Sequence, residues 1–431
     1  MRRNILIGNI VTYVAIFLPV AILLVENPIV LQLDNFYNTC TTLAKIGGLA
    51  GIGLFALNII LSSRNKYLDR VYGGLDNVYK VHHDKGLITF ILLLMHPSFL
   101  ALRELETSII SMILYFLPSS SIPINIGKLS LILFSVAIIF TVLRRFEYQK
   151  LQKIHKSLGI VFMIGTVHAF TVGSNVSTQP VLRLYVSVLV LVAGVSYVNT
   201  TLLGNIVSKK YRYTVETIES SGEVIKIDMK PIDEKIPYTS GQFIFPSFQQ
   251  EGLKETHPFS MTSKPSDSRL SLAIRPLGDY TRRLSGLSFG TEVTIDGPYG
   301  GFNYRKGGNK QVWIAGGIGV TPYLSMIKEL SDESSRPAID MYFSYRNDGD
   351  KELGDELENR LSEWDNCNYY AFDTRSVSRL SVEKISEISH DLLASDIFIC
   401  GPMAMIEDLE KQFINQGVKR ENIHLERFKL L

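Results

Sequence analysis

Cysteine is scarce. The chain of 431 residues has three, Cys40, Cys367 and Cys400, odd in number and far apart. That excludes a disulfide framework and a CxxC metal or redox site, and fits a reducing compartment for the half that holds two of them. Net charge is almost absent too: 44 Lys and Arg against 42 Asp and Glu leave +2, which argues against a nucleic-acid partner. The chain has no calcium loop of the EF-hand kind, no proline-rich recognition tract and no long charged tail. No obligatory protein partner is evident from it.

What is present divides near residue 205. Before it, long apolar runs dominate; after it, charged residues alternate with short apolar segments. A membrane-crossing helix needs about 20 mostly apolar residues. Six candidates qualify, at roughly 4–25, 40–62, 83–102, 129–143 with its flank, 156–172 and 180–203, the fourth being short. The first follows Met1-Arg2-Arg3 and reads as a retained helix rather than a signal peptide, because no small-residue cleavage site follows it. The run 109–117 is too short to span and reads as part of an external loop. Arg2, Arg3, Arg64, Lys66, Arg70, Lys80, Arg144, Arg145, Lys150, Lys153, Lys209, Lys210 and Arg212 fall on one side. By the excess of positive charge on cytoplasmic loops, both termini and the whole second half are expected there, in an integral protein of a bacterial plasma membrane.

The first half has five histidines, His82, His83, His96, His155 and His168, all in or beside the third and fifth segments. Ionisable groups at membrane depth are expensive and usually functional. His82-x-x-x-Gly86 with His96, and His155-x-x-x-Gly159 with His168, repeat one pattern. Neutral imidazole is a good ligand for haem iron. Fourteen residues of helix rise ~21 Å and bring two side chains within about 40° of one another. One ligand per leaflet follows, pairing His82 with His155 for an inner haem and His96 with His168 for an outer one. His83 is the rival of His82, which alone matches the spacing to glycine. Thirteen residues on an ideal helix turn the second side chain by about 220°, so the fifth segment must deviate locally or its ligands must approach from different angles. Zinc is disfavoured, because no carboxylate or thiolate cluster accompanies the histidines.

In the second half, short strands are expected at 212–218, 223–231, 241–248, 269–276 and 291–296, the pattern of a small antiparallel barrel. From Lys310 onward, apolar runs at 311–315, 338–344, 368–372 and 396–400 alternate with helical stretches at 322–331, 350–364 and 402–416. That is an α/β parallel sheet. The segment from Trp313 to Pro322 reads as a strand, a glycine turn through Gly316, Gly317 and Gly319, and a helix start at Thr321-Pro322. Side-chain-free turn residues and a helix N-terminus suit a phosphate.

His257-Pro258-Phe259-Ser260-Met261-Thr262-Ser263 and Arg275-Pro276-Leu277-Gly278-Asp279-Tyr280-Thr281 resemble the flavin elements of the ferredoxin–NADP reductase superfamily. Joined to a two-haem helical bundle, the chain resembles the NADPH oxidase and ferric reductase family over nearly its whole length. The resemblance implies that Phe259 lies against the isoalloxazine, with Ser260 near its reactive nitrogen. Arg275, Gly278 and Thr281 would approach the FAD pyrophosphate, and His257, Pro258, Thr262 and Ser263 would line the flavin site. Asp296-Gly297-Pro298-Tyr299-Gly300 matches the turn that closes the barrel. Arg346 would meet a 2′-phosphate, favouring NADPH over NADH, and Cys400-Gly401-Pro402 would stand beside the nicotinamide. Phe428 resembles a terminal aromatic covering the flavin, although Lys429-Leu430-Leu431 extend beyond it.

The expected architecture is multidomain: a six-helix transmembrane haem-binding bundle (1–208), an antiparallel β-barrel FAD domain (209–305) and an α/β parallel-sheet NADPH domain (306–431). The resemblance implies electron flow from cytoplasmic NADPH through FAD and two b-type haems, with molecular oxygen on the far side yielding superoxide, or with a ferric chelate as acceptor. Ser260, Cys400 and Phe428 would serve the hydride transfer. Two readings stand apart: a transporter with a regulatory nucleotide domain, and a cytochrome b subunit serving a membrane quinone.

Overall fold

A computed structural model describes residues 2–26, 33–143, 148–203, 209–221, 223–376, 379–389 and 391–427. The chain divides into two compact units, residues 1–72 with 77–207 and residues 73–76 with 208–431.

The first unit is helical: α1 (Arg2–Glu26), α2 (Phe36–Leu61), α3 (Lys66–Tyr72), α4 (Leu75–Arg103), α5 (Ile109–Leu114), α6 (Ile122–Leu143), α7 (Tyr148–Lys156), α8 (Leu158–Thr171), α9 (Asn175–Thr178) and α10 (Pro180–Tyr197). Among the described residues, six segments are long and apolar enough to cross a membrane. Unlike those of a water-soluble bundle, their outer faces are apolar as well as their core. Ile132, Val136, Ile139, Leu184, Leu191 and Val195 point outward, while Asn58, Thr89, Ser130 and Thr166 are buried. A lipid solvent favours that arrangement, since polar groups then find partners only inside the protein. Ser130 accordingly donates to the Val161 carbonyl (3.0 Å) and Asn58 to the Thr89 hydroxyl (2.9 Å).

Two expectations need adjustment here. The fourth span begins at Ile122, not near 129, because Lys128 does not end the helix. Its ammonium reaches back to the Leu117 carbonyl and over the Tyr115 ring. The fifth span is not one continuous helix. Ser157 breaks it between α7 and α8, its amide shared by the Lys153 (3.1 Å) and Ile154 (3.2 Å) carbonyls and its hydroxyl bonded to Ile154 as well. Amides shared between i−3 and i−4 carbonyls mark a locally tightened helix. The break lies between the two histidines whose spacing demanded a deviation.

The second unit holds two sheets. Strands β1 (Lys210–Ser221), β2 (Val224–Pro231), β3 (Phe243–Phe248), β4 (Phe259–Ser260), β5 (Leu270–Ile274) and β6 (Glu292–Tyr299) are ordered β4-β3-β6-β1-β2-β5, with every pairing antiparallel. The two edges meet through a bridge from Met261 to Leu272 and the Thr262 amide bonded to the Ser271 carbonyl (2.9 Å), so the barrel nearly closes. A short helix, α11 (Asp279–Arg283), follows β5. Alternate residues fill the interior: Tyr213, Val215, Ile225, Ile227, Met229, Val293 and Ile295.

The other sheet is parallel: β7 (Lys310–Gly316), β8 (Ala338–Tyr345), β9 (Cys367–Asp373), β10 (Asp396–Cys400) and β11 (Ile423–Glu426), ordered β11-β10-β7-β8-β9. Both faces are covered, which is why its strands read as unbroken apolar runs. Trp313, Met341 and Phe343 pack with α12 (Thr321–Leu330) and α13 (Asp348–Leu361). Val312, Ile314, Ile397 and Ile399 pack against α14 (Val382–Ile388) and α15 (Met403–Asn415). Strand order reverses between β7 and β10, and in open parallel sheets ligands settle at that point, beyond the carboxyl ends of the strands.

Candidate functional site

In the helical unit the structure brings together the expected histidine pairs. The rings of His82 and His155 have centroids 5.8 Å apart, and those of His96 and His168 6.4 Å. His83, one residue along α4, is exposed. An imidazole nitrogen stands ~2 Å from a metal it ligates and about 1.1 Å from its own ring centre, so two imidazoles on opposite sides of one metal have centroids about 6 Å apart. Both pairs fit that spacing.

The tautomers fit as well. His82 Nδ1 lies 3.0 Å from the Asn58 carbonyl, His96 Nδ1 2.8 Å from Ala44 and His168 Nδ1 2.8 Å from Pro123. A carbonyl only accepts, so each Nδ1 carries the proton and donates it, leaving a lone pair on Nε2. Such a second bond orients metal-ligating histidines. The fourth, His155, has its Nδ1 buried without a partner. Room for this arrangement comes from glycine. A Cβ on Gly48 of α2 would stand 2.9 Å from His96 Nδ1, and one on Gly127 of α6 2.7 Å from His168 Nδ1. The two glycines of the shared spacing differ: a Cβ at Gly86 would meet nothing within 4 Å, whereas one at Gly159 would lie 2.2 Å from the Tyr197 ring. Among the described residues no group of three or more His, Cys, Asp or Glu gathers to hold a bare ion.

In the barrel, His257 to Ser263 cross from the loop before β4 to the closing bridge. Phe259 is half-buried; Ser260 is buried and its hydroxyl has no partner. An orphaned buried hydroxyl is uncommon, and one here fits a polar atom of a bound flavin. His257 lies against the Tyr280 ring with centroids 4.1 Å apart, and its Nε2 is 3.3 Å from Glu255. Ser263 plays a different part. Its hydroxyl accepts from the Ser271 amide (3.0 Å) and pairs with Tyr238 (2.9 Å), stitching the barrel shut. Gly278 precedes α11, where its amide and the Thr281 hydroxyl are bonded at 3.0 Å. Arg275 reaches two carboxylates, Asp350 at 3.2 Å and Glu223 at 3.3 Å.

At the switch point of the parallel sheet, the turn after β7 meets the turn after β10. Gly317 has φ +52°, open to glycine, and a Cβ on Gly319 would stand 2.5 Å from the Cys400 carbonyl. Gly401 packs as tightly, its Cβ position 3.0 Å from the Gly316 amide nitrogen. Backbone thus lies on backbone from Gly316 to Gly319 and at Gly401-Pro402. Pro322 occupies the first turn of α12, and the Thr321 hydroxyl bonds to the Ile318 carbonyl (3.0 Å). Cys400 is fully buried, and burial pushes its thiol well above the ordinary range. Arg346 is exposed just beyond β8. Phe428 lies outside the described residues.

Sequence reasoning missed the carbonyls of Asn58, Ala44 and Pro123, and also Gly48, Gly127, Asp350 and Glu223. Only the run Gly47-Gly48, with Gly51 and Gly53 close behind, carried a signal, since small residues in an apolar span mark close helix approach.

Comparison with known proteins covers all three regions. Residues 47–166 match the family described as ferric reductase like transmembrane component, 209–303 an FAD-binding domain, and 313–411 an oxidoreductase NAD-binding domain. The reductase component of propane 2-monooxygenase from Rhodococcus jostii is 24% identical over 245 residues, 53% of this chain and 66% of that protein. Respiratory burst oxidase homolog protein E of Arabidopsis thaliana is 32% identical over 220 residues, 44% of this chain and 22% of that protein. The chain spans less than two thirds of the length of these relatives. A crystal structure of flavohemoglobin from Malassezia yamatoensis with bound FAD and heme shares the fold, with a TM-score of 0.51 at 16% identity over 91% of this chain and 98% of that one. The chain therefore joins a ferric reductase-like transmembrane component to FAD-binding and NAD-binding oxidoreductase domains.

Proposed function

We propose that the protein is a transmembrane NADPH oxidase, moving electrons from NADPH on the cytoplasmic side to oxygen on the other and producing superoxide. The observation that carries this reading is the pair of cross-helix histidine couples at 5.8 and 6.4 Å, in the unit that matches a ferric reductase transmembrane component. When bound, FAD would supply acceptance of one two-electron hydride from the nicotinamide, and the haems one-electron transfer.

The residues divide that work. His82 with His155, and His96 with His168, would each hold one b-type haem by Nε2, with His82, His96 and His168 fixed by the carbonyls that take their Nδ1 protons. If each haem were held between two histidines in this way, no site would be left for oxygen to bind, which would favour outer-sphere delivery to oxygen. Phe259 would cover the isoalloxazine while Ser260 bonds to it; His257, Pro258, Thr262 and Ser263 would shape the site, and Gly278 and Thr281 would admit the FAD pyrophosphate, while Arg275, expected there too, stands beside Gly317 and would face the nicotinamide dinucleotide instead. Gly316, Gly317, Gly319, Thr321 and Pro322 would seat the nicotinamide dinucleotide at the switch point. Cys400, Gly401 and Pro402 would stand beside its ring, Arg346 at its 2′-phosphate, and Phe428 over the flavin.

Purified full-length protein in detergent tests this directly. The expected result is two haems per chain by pyridine haemochrome, reduced on addition of NADPH, with cytochrome c reduction sensitive to superoxide dismutase. Recovery without haem, despite adequate haem supply, would overturn the four-histidine assignment and restore the transporter reading. The family match of residues 47–166 favours a second acceptor, ferric chelate. NADPH-driven chelate reduction that persists without oxygen and resists superoxide dismutase would select it.

A further inference from the structure

Arg275 and Asp350 come from different parts of the reductase unit. Arg275 follows β5 of the barrel, and Asp350 lies in the first turn of α13, beside the nucleotide sheet. The Asp350 side chain is 0% exposed; one oxygen receives Arg275 Nη1 and the other has no partner. Asn347, which caps α13 through the Asp350 amide (2.8 Å), also buries an unpartnered side-chain nitrogen. The other arm of the guanidinium meets Glu223, whose side chain is 63% exposed. Against this group stands Gly317. A Cβ there would lie 3.2 Å from Asp350 Oδ2 and 3.6 Å from Arg275 Nη1. The guanidinium therefore lies beside the glycine turn, held between one buried and one solvated carboxylate.

Those two carboxylates cannot be equivalent. Breaking the buried arm leaves a desolvated charge uncompensated, so that contact persists. The exposed arm is screened by water and is cheaply exchanged. Burial raises the Asp350 carboxyl above the ordinary range, while Arg275 pulls it back. A pyrophosphate at the glycine turn would face the Asp350 charge alone if the guanidinium were absent.

We propose that Asp350 and Glu223 act on nicotinamide-dinucleotide binding with opposite sign. Asp350 is a positioning residue that keeps the Arg275 guanidinium beside Gly317, and Glu223 is the exchangeable partner that an incoming pyrophosphate displaces. This rests on the nucleotide site assigned above.

The test is NADP+ affinity in FAD-loaded, detergent-solubilised full-length protein, with FAD content and thermal melting measured for each variant. Glu223→Gln removes the competitor, and the Kd should fall roughly two- to fivefold. Asp350→Asn frees the guanidinium, and the Kd should rise about tenfold. In an Arg275→Gln background the Glu223→Gln effect should vanish. Should Asp350→Asn fail to fold, the Glu223 and Arg275 cycle still decides, because Glu223 is exposed. The proposal is overturned if Glu223→Gln does not tighten binding, if its effect survives without Arg275, or if Asp350→Asn tightens binding. Wild-type protein that binds no NADP+ at all would bring down the nucleotide site itself, and this inference with it. Wild-type binding with no divergence between variants would remove only the inference.

Discussion

The two units bury polar groups against opposite solvents. In the helical unit large aliphatic side chains line the outer face as well as the core while polar atoms turn inward, so an imidazole finds its partner in the carbonyl of a neighbouring helix. In the reductase unit the aliphatic residues fill two cores, and the features expected to meet cofactors sit at strand ends, where backbone approaches backbone. The lesson concerns where specificity is stored. The membrane unit stores it in a few side chains of unusual type; the reductase unit stores it in turn geometry that many sequences could share.

The sharpest way to break this contrast is to remove one imidazole. His96→Leu should lower haem content from two to one per chain by pyridine haemochrome, with NADPH oxidation through the membrane unit lost and FAD content unchanged. Retention of both haems would mean that the 6.4 Å pair is a helix contact only. Next in size is the Ser260 hydroxyl. Ser260→Ala should leave FAD bound but slow its reduction by NADPH about 10- to 100-fold in stopped flow, the scale of losing one hydrogen bond to a charge-developing group. An unchanged rate would leave the orphaned hydroxyl without a function.

Two leucines sharpen the solvent argument. Leu357 is 0% exposed in the reductase core, whereas Leu191 on α10 is 66% exposed. Leu357→Ala should destabilise by about 2–5 kcal/mol through transfer and cavity costs, and Leu191→Ala by less than ~1 kcal/mol, both by thermal melting in detergent. Equal losses would show that the outward face of α10 packs on protein rather than lipid. The smallest effect concerns Cys400. Its raised pKa keeps the thiol protonated through and above pH 8, so iodoacetamide should label it far more slowly than unfolded chain. The sign for stability follows. The folded state holds that proton at pH values where the unfolded thiol has lost it, so the contribution is full below the unfolded pKa and is lost as pH rises towards the folded one. Rapid labelling at pH 8 would place Cys400 in an open cleft.

Legibility followed the same division. His82, His96, His155 and His168 stood out because histidine is costly in an apolar span, and the rings lie in the two expected couples although the helical arithmetic suited only His82 with His96. The misfit of thirteen residues was legible as well, but not the helix break at Ser157, an ordinary residue that carries no signal of its own. The fourth span looked short because Lys128 interrupts its hydropathy, and only the fold shows that ammonium reaching back to Leu117. In the barrel, β4 escaped notice because two residues carry no periodicity; pairing with β3 creates it.

By itself the sequence determined the six apolar spans, the histidine spacing, the order of barrel and parallel sheet, and the turn motifs, because each is a matter of local composition and period. The tertiary structure alone decided which carbonyls orient His82, His96 and His168, which glycines make room for His96 and His168, and that Arg275 stands between Glu223 and Asp350 beside Gly317. Those partners are separated along the chain by tens of residues, and backbone carbonyls are common to every residue. No pattern of side chains announces them; only folding, by bringing the elements within hydrogen-bond reach, selects one from many.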